Sequence, residues 1–516
     1  MKLQSKYLVL LMMCAIISMN AFPQKNVTMR MDSLFRSLYQ YGEINGNVLI
    51  AEHGHIIYKK SFGYAGFEHK VPNTDSSRFT LSSVSKVFTS TAVLQLRDSG
   101  RFSLDDPLIK YLPDFPYPDI TIRHLLSHTS GLPDYGLYEE LIAKSRDKIF
   151  SNKDVLPSLR IWNKPLSFKP GEKWEYSNTN FSLLALLVEK TSGMTFQQYV
   201  QEYIFSPAKM TDTYFLTDPS HSKDENRVTN YEFPFLYSTQ YKNVDSLKKY
   251  RWRLFNASGF VGQGNIMTTT GDMVKFDNAL YAGKIIRLST LDEAFTPAKL
   301  NNGKNTDPHL GVAGTIGKAS YGLGWFIFAD TSAGKIVWHT GGQPGSISIF
   351  LRNITKRQMV ILFDNTFHKS LYANGVNALS VLNDKPIAIP KKSLTQGYSS
   401  ALIENGVDAA FCKLLELRAD SIHYYLSEDD MNEMGLQLLY SAAFDKNHQL
   451  ALEVLKLNTL LFPESFNTYD SYGEALAYAG KKQEAVLMYK KSLELNPDNE
   501  TGKRALKRIL NGGGAF

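Results

Sequence analysis

The 516-residue chain has only two cysteines, Cys14 and Cys412. Cys14 lies in an N-terminal stretch with the character of a removable leader, so the mature chain keeps one thiol. That leaves no internal disulfide and no cysteine-based metal site. The 11 histidines are scattered, without the His-Glu-x-x-His spacing of a zinc hydrolase, so neither a metal nor another cofactor is expected. No apolar run reaches the roughly 20 residues that cross a bilayer, so no transmembrane anchor is expected. The formal charge is +7, but it is spread along the chain with no basic block or recognition helix. Nucleic acid is therefore not an expected partner. Gly311 to Lys318 lacks Walker A spacing, which argues against a nucleotide phosphate site. With 43% hydrophobic and 21% charged residues, the chain has an ordinary globular composition and must draw its stability from a large core.

At the N-terminus, Lys2 and Lys6 precede the apolar run Tyr7 to Ile17, and Ser18, Asn20 and Ala21 follow. This order of charge, apolar segment and small residues predicts a signal peptide over 1–21 and an exported protein, periplasmic or secreted. Met12-Met13 before Cys14 is a poor context for lipoprotein cleavage.

The chemistry centres on Phe79-Thr-Leu-Ser-Ser83-Val-Ser-Lys86. Turn formers precede it (Pro72, Asn73, Asp75), and Val84, Val87, Phe88, Ala92, Val93 and Leu96 then recur at helical spacing. Ser83 is expected to open a helix with Lys86 one turn along on the same face. A serine hydroxyl needs a neighbouring base, and a lysine whose pKa is lowered by burial can serve. Ser-x-x-Lys recurs at 145–148, 206–209, 220–223, 246–249 and 332–335, but only the Ser83 copy opens a long apolar-faced helix.

A second chemical stretch is Lys169-Pro-Gly171-Glu-Lys-Trp174-Glu-Tyr176-Ser177-Asn178, ahead of an apolar helix from Phe181 to Glu189. Tyr176 beside a serine and a lysine can act as general base and then acid. Asn178 can hold a substrate carbonyl or orient Lys86. Tyr-x-Asn also occurs at 241–243 and 372–374 without the Pro-Gly turn and aromatic anchor. A third stretch, His339-Thr340-Gly341-Gly342, follows the strand Lys335 to Trp338 and leads into another at Ser346 to Phe350. Strands are expected at Tyr321–Phe328 and Gln358–Phe363, in an antiparallel meander. The N–H groups of Ser83 and Gly342 can form an oxyanion hole. His124 and His128 are expected to be structural, on a helix from Ile120 that ends at Gly131. Residues 215 to 255 predict a long loop over a site, and the glycines of Ala257 to Asn265 predict close backbone approach.

Ser83-x-x-Lys86, Tyr176-x-Asn178 and His339-Thr-Gly341, in that order, resemble the beta-lactamase-related serine hydrolases of the class C lactamase, D-alanyl-D-alanine carboxypeptidase and esterase branch. The resemblance implies an α+β fold: a mixed antiparallel sheet flanked by helices, with an all-helical subdomain over the cleft. It also implies an acyl-enzyme route, with Ser83, Lys86 and Tyr176 catalytic and Asn178, His339, Thr340, Gly341 and Gly342 binding a small-molecule or peptide acyl substrate. The lactamases proper usually carry Lys where His339 stands. A histidine is largely neutral at pH 7, so D-amino-acid peptides or esters fit better than efficient penicillin hydrolysis. The alternative is an inactive penicillin-recognising binding protein.

The hydrolase domain is placed at 27–385 and a connector at 386–430. Two stretches spaced by 34 residues follow, pairing Ala451 with Ala485, Leu455 with Tyr489 and Pro463 with Pro497. They resemble tetratricopeptide repeats over 431–512, with Leu439 where the first copy should carry the glycine of Gly473. Such repeats offer a groove to a peptide or protein partner, or else serve as a stabilising helical appendage.

Overall fold

The computed structural model describes residues 26–308, 317–329, 331–389, 391–440 and 448–511. The expected signal peptide and most of the Gly311 to Lys318 stretch lie outside them. The chain forms two compact units: Met1–Glu232 with Asn243–Ala388, and Phe233–Lys242 with Ile389–Phe516.

The first unit is built on a seven-stranded sheet. Helix α1 (26–40) leads into the hairpin β1 (Gly46–Glu52) and β2 (His55–Ser61). Much later come β3 (Ala319–Tyr321), β4 (Phe326–Phe328), β5 (Ile336–Gln343), β6 (Ser346–Asn353) and β7 (Gln358–Asp364). The order across the sheet is β3-β4-β5-β6-β7-β1-β2, and every pairing is antiparallel. The first hairpin thus adds to the last strand, with Gly46 opposite Asp364.

Strand periodicity sorts the core into two layers, because successive side chains point to opposite faces. Val48, Ile50, Val360 and Leu362 face a core shared with Met31, Phe35 and Leu38 of α1 and Leu371 and Leu379 of α6 (Leu371–Leu382). Leu49, Ala51, Ile361 and Phe363 face the opposite core. That core takes Val84, Val87, Phe88 and Val93 around α2 (Lys86–Asp98), Phe181, Leu184 and Val188 of α4 (Asn178–Ser192) and Phe276 of α5 (Thr270–Tyr281).

Three local expectations change. The strand expected over 321–328 is two strands, since Gly324 (φ +84) lies so close to α2 that a Cβ there would sit 2.6 Å from Ser90 Cβ. Tyr321 instead pairs back onto Phe326. The helix expected to run to Gly131 is α3 (Ile122–Leu126); it ends at Ser127 because His128 takes a left-handed conformation (φ +55). Ser83 lies in a 3-10 turn, Ser82–Ser85, and α2 begins only at Lys86. The 215 to 255 region remains irregular apart from short strands and single turns.

The second unit is helical around one core. It comprises α7 (Thr395–Asn405), α8 (Val407–Ala419), α9 (Glu428–Tyr440), α10 (His448–Leu461), α11 (Phe466–Tyr478), α12 (Lys482–Leu495) and α13 (Glu500–Leu510). Tyr237 is buried in that core, and Leu236 is pinned by Gln437 Oε1 on its N–H and Ser399 Oγ on its carbonyl. A Cβ on Gly473 would press on Tyr489, and one on Gly435 would meet Leu455 at 2.5 Å. Gly435, not Leu439, is therefore the glycine that the close approach in the first hairpin requires. No helix among the described residues is long and apolar enough to cross a membrane.

Candidate active site

The loop that delivers Ser83 is clamped from several strands. Leu81 N–H donates to Ile266 O, and the carbonyls of Thr80 and Leu81 accept from Ser346 Oγ and Ser348 Oγ of β6. Gly341 of β5 lies against the same turn, where a Cβ would be 2.0 Å from Leu81 O. Ser82, just before the nucleophile candidate, holds φ +48, a strained value for a side-chain-bearing residue that tight surroundings must impose.

Lys86 is buried within α2, and its Nζ has three oxygen neighbours: Asn178 Oδ1 at 2.7 Å, Gln263 O at 2.8 Å and Ser83 Oγ at 3.1 Å. Its Nζ also lies 4.9 Å from the Tyr176 ring centre and 5.5 Å from that of Phe181. Burial pushes the amine well below its usual pKa; Asp134 opposes this and Arg253 adds to it. A neutral amine has two protons and one lone pair. The amide oxygen and the carbonyl can only accept, so they take both protons and leave the lone pair to the Ser83 hydroxyl.

Tyr176 is also enclosed. Burial drives its phenol far above the usual tyrosine range, with only Ser83 beside it pulling the other way. Burial so favours the protonated phenol, the form that can donate or relay a proton. His128 lies under it, ring centres 4.3 Å apart, and its Nδ1 accepts from Ser177 N–H. His124 closes a capping box with Thr121 at the start of α3. Both histidines thus hold structure.

β4 pairs with only Val337 and Trp338 of β5, so His339 to Gly342 runs on beyond it with no strand among the described residues on that edge. Tyr372 donates to Gly341 O at 3.0 Å. His339 is buried; its Nδ1–H donates to Thr340 O at 2.7 Å, which turns Nε2 toward Tyr321 OH at 3.3 Å. Burial above all, with the neighbouring Lys86 adding to it whenever that amine is protonated, lowers its pKa to about 3, so it carries no positive charge at physiological pH.

Ser83, Trp174, Glu175, Tyr176, Phe326, His339, Thr340 and Gly342 line one cleft of about 520 Å³. The structure so brings Ser83, Lys86, Tyr176, Asn178 and His339 to Gly342 together. Sequence patterns missed Gln263, whose carbonyl reaches Lys86; the signal was Gly262 and Gly264 on either side of it. A Cβ on Gly262 would meet Phe181 O at 2.5 Å. They also gave no site role to Asp134, Tyr321 or Tyr372. Among the described residues no cluster of three or more His, Cys, Asp or Glu could hold a metal.

The beta-lactamase family model matches residues 26–381. Penicillin-binding protein 4* of Bacillus subtilis (strain 168) is 34% identical over 377 residues, covering 72% of this chain and 79% of that protein. The crystal structure of a penicillin binding protein from Bacillus halodurans superposes with a TM-score of 0.55 at 27% identity, covering 67% of this chain and 99% of that one. D-amino acid amidase from Ochrobactrum anthropi SV3 shares the fold, with a TM-score of 0.54 at 24% identity over 70% of this chain and 98% of that one. On its sequence and its fold, this chain belongs to the beta-lactamase family of serine hydrolases.

Proposed function

We propose that the protein is an exported serine acyl hydrolase working through an acyl-enzyme on Ser83, with ester or amide substrates that include D-amino-acid peptides. The observation that carries this is the set of three oxygens around Lys86 Nζ: in the neutral amine that burial favours, Asn178 Oδ1 and Gln263 O take the two protons and the lone pair falls to Ser83 Oγ. In acylation the Ser83 proton passes to Lys86 as Oγ bonds to the carbonyl carbon. The carbonyl oxygen takes the negative charge between the N–H groups of Ser83 and Gly342. The Tyr176 hydroxyl gives its proton to the departing alcohol or amine and is resupplied from Lys86. Water then attacks the acyl carbon, its proton leaves by the same route in reverse, and Ser83 is regenerated.

Substrate charge follows from the cleft. His339 is neutral and, among the described residues, Glu175 is the one carboxyl on the lining and no cation stands beside it to attract a substrate carboxylate. Penicillin hydrolysis is accordingly not the favoured activity. The C-terminal helical hairpins fit a tetratricopeptide-like array, for which a peptide is the fitting partner, and the N-terminal leader fits export.

The test is hydrolysis of a chromogenic ester by the mature chain beside Ser83→Ala. Activity should fall by about 1,000-fold or more in the variant. A neutral ester should exceed its carboxylate-bearing match about tenfold, on the order of 1.4 kcal/mol. That ratio should stay flat from pH 8 to pH 5, because His339 does not titrate there. Equal rates in wild type and variant, or no turnover in either, would favour a non-catalytic binding protein.

A further inference from the structure

Lys86 can act on Ser83 only if Asn178 turns its amide the right way. A side-chain amide has an oxygen end that accepts and a nitrogen end that donates. With the oxygen toward Lys86, one amine proton is taken up and the lone pair stays free for Ser83. With the amide reversed, Nδ2–H would point at Lys86, draw the lone pair to itself and leave Ser83 without a base.

Asp134 decides between the two. It stands in the loop that follows α3, directly after Pro133 and ahead of the 3-10 turn Tyr135–Tyr138. Its Oδ1 accepts from the backbone N–H of Asn178 at 3.0 Å, and its Oδ2 accepts from Asn178 Nδ2 at 3.2 Å. A carboxylate offers only acceptors, so it holds the nitrogen end and sends Oδ1 to Lys86, 2.7 Å away. Asn178 is also the first residue of α4, whose N-cap Ser177 makes no side-chain capping bond, and the carboxylate stands where the helix dipole favours negative charge.

Resting on the acyl-enzyme reading of Ser83 and Lys86, we infer that Asp134 is a positioning residue for catalysis: it fixes the Asn178 amide so that Lys86 presents its lone pair to Ser83. It touches neither substrate nor nucleophile. The line Asp134–Asn178–Lys86–Ser83 places an anion behind the base, with an amide group between them. The other groups that bear on Lys86 are the Arg253 cation and the neutral Tyr176, His128 and His339. Tyr135 is hydrogen-bonded to Gln263 Oε1 and stays protonated. Asp134 is the one carboxylate in that set; burial raises its pKa while the Asn178 donors, Lys86 and Arg253 pull it down, and as an anion it favours the protonated Lys86 formed during acylation.

The test uses Asp134→Asn in the full chain. The new side chain keeps its oxygen for the Asn178 backbone N–H, so its NH₂ faces the Asn178 side chain and reverses it. Expected is a fall in kcat of about 100-fold, with KM changed less than about threefold. The acid limb of kcat/KM should move to lower pH by about half a unit, because the anion that favoured protonated Lys86 is gone. The double variant Asp134→Asn/Asn178→Asp restores an acceptor toward Lys86, while the NH₂ introduced at position 134 donates to the other oxygen of the new carboxylate. It should regain much of the lost kcat, and its acid limb should move above that of wild type.

A merely structural Asp134 would lower the thermal midpoint and leave the pH limb in place. An unchanged kcat and limb in Asp134→Asn, a loss confined to KM, or a double variant no better than the single would each overturn the inference. Wild-type chain inactive on every ester would instead remove the acyl-enzyme reading itself, and the inference with it.

Discussion

Lys86→Met is expected to lower kcat/KM on an ester by about 1,000-fold, within the range for loss of a general base. Its thermal midpoint should stay within about 5 °C of wild type. The two parts come from one local accounting. Methionine keeps most of the buried volume, so the packing against Phe181 and Tyr176 survives. The cost of holding an ionisable amine out of water disappears, which favours the variant. Against that, Asn178 Oδ1 and Gln263 O each lose a donor, and a buried acceptor left unpaired costs about 1–3 kcal/mol. These terms oppose each other, so stability changes little while chemistry is lost. A variant that is both inactive and unfolded by 10 °C or so would show Lys86 to be a structural strut. Thermal denaturation followed beside initial rates separates the cases.

Gly341→Ala should have the larger effect on stability. A Cβ at this position would lie 2.0 Å from Leu81 O and 2.4 Å from Ser348 Oγ. The carbonyl cannot swing away, because it already accepts from Ser348 Oγ and belongs to the backbone that carries Ser83. β5 and the Ser82–Ser85 turn must separate, at a cost of about 3 kcal/mol, and the oxyanion N–H groups separate with them. The variant should therefore be inactive and unfold at clearly lower denaturant. Gly342→Ala is the matched control. Its Cβ would find Tyr372 OH at 3.4 Å as its nearest neighbour, so stability should change by less than about 1 kcal/mol. Equal denaturant midpoints for both variants would contradict the close-approach account of Gly341.

The parts of this site legible in sequence were those that chemistry confines to short spacings. Ser83 and Lys86 are three residues apart because a lysine Nζ must reach the Oγ across one helical turn. The apolar pattern from Val84 to Leu96 then selects this copy over five others. Tyr176 and Asn178 stood out for the Pro-Gly turn and Trp174 before them. What stayed hidden is what reaches the site by tertiary approach. Asp134 contacts Asn178 from 44 positions away, and Gln263 offers Lys86 a backbone carbonyl, which no side-chain pattern records. The misread strand at 321–328 has the same origin. Its apolar alternation is real, but Gly324 must turn because Ser90 of α2 is packed against it. His339 was read as neutral from its ordinary pKa; only its burial makes it so down to about pH 3. In the second unit, a fixed spacing of 34 put Leu439 where the glycine of Gly473 stands, whereas the glycine is required where Leu455 crosses, at Gly435.

The most direct measurement is the intact mass of the mature chain quenched during turnover of a slowly deacylating activated ester, followed by peptide mapping. Expected is a gain equal to one acyl group, carried by the peptide that contains Ser83, absent from Ser83→Ala and strongly reduced in Lys86→Met. Ester turnover with no covalent adduct, or an acyl group on any other residue, would contradict an acyl-enzyme on Ser83.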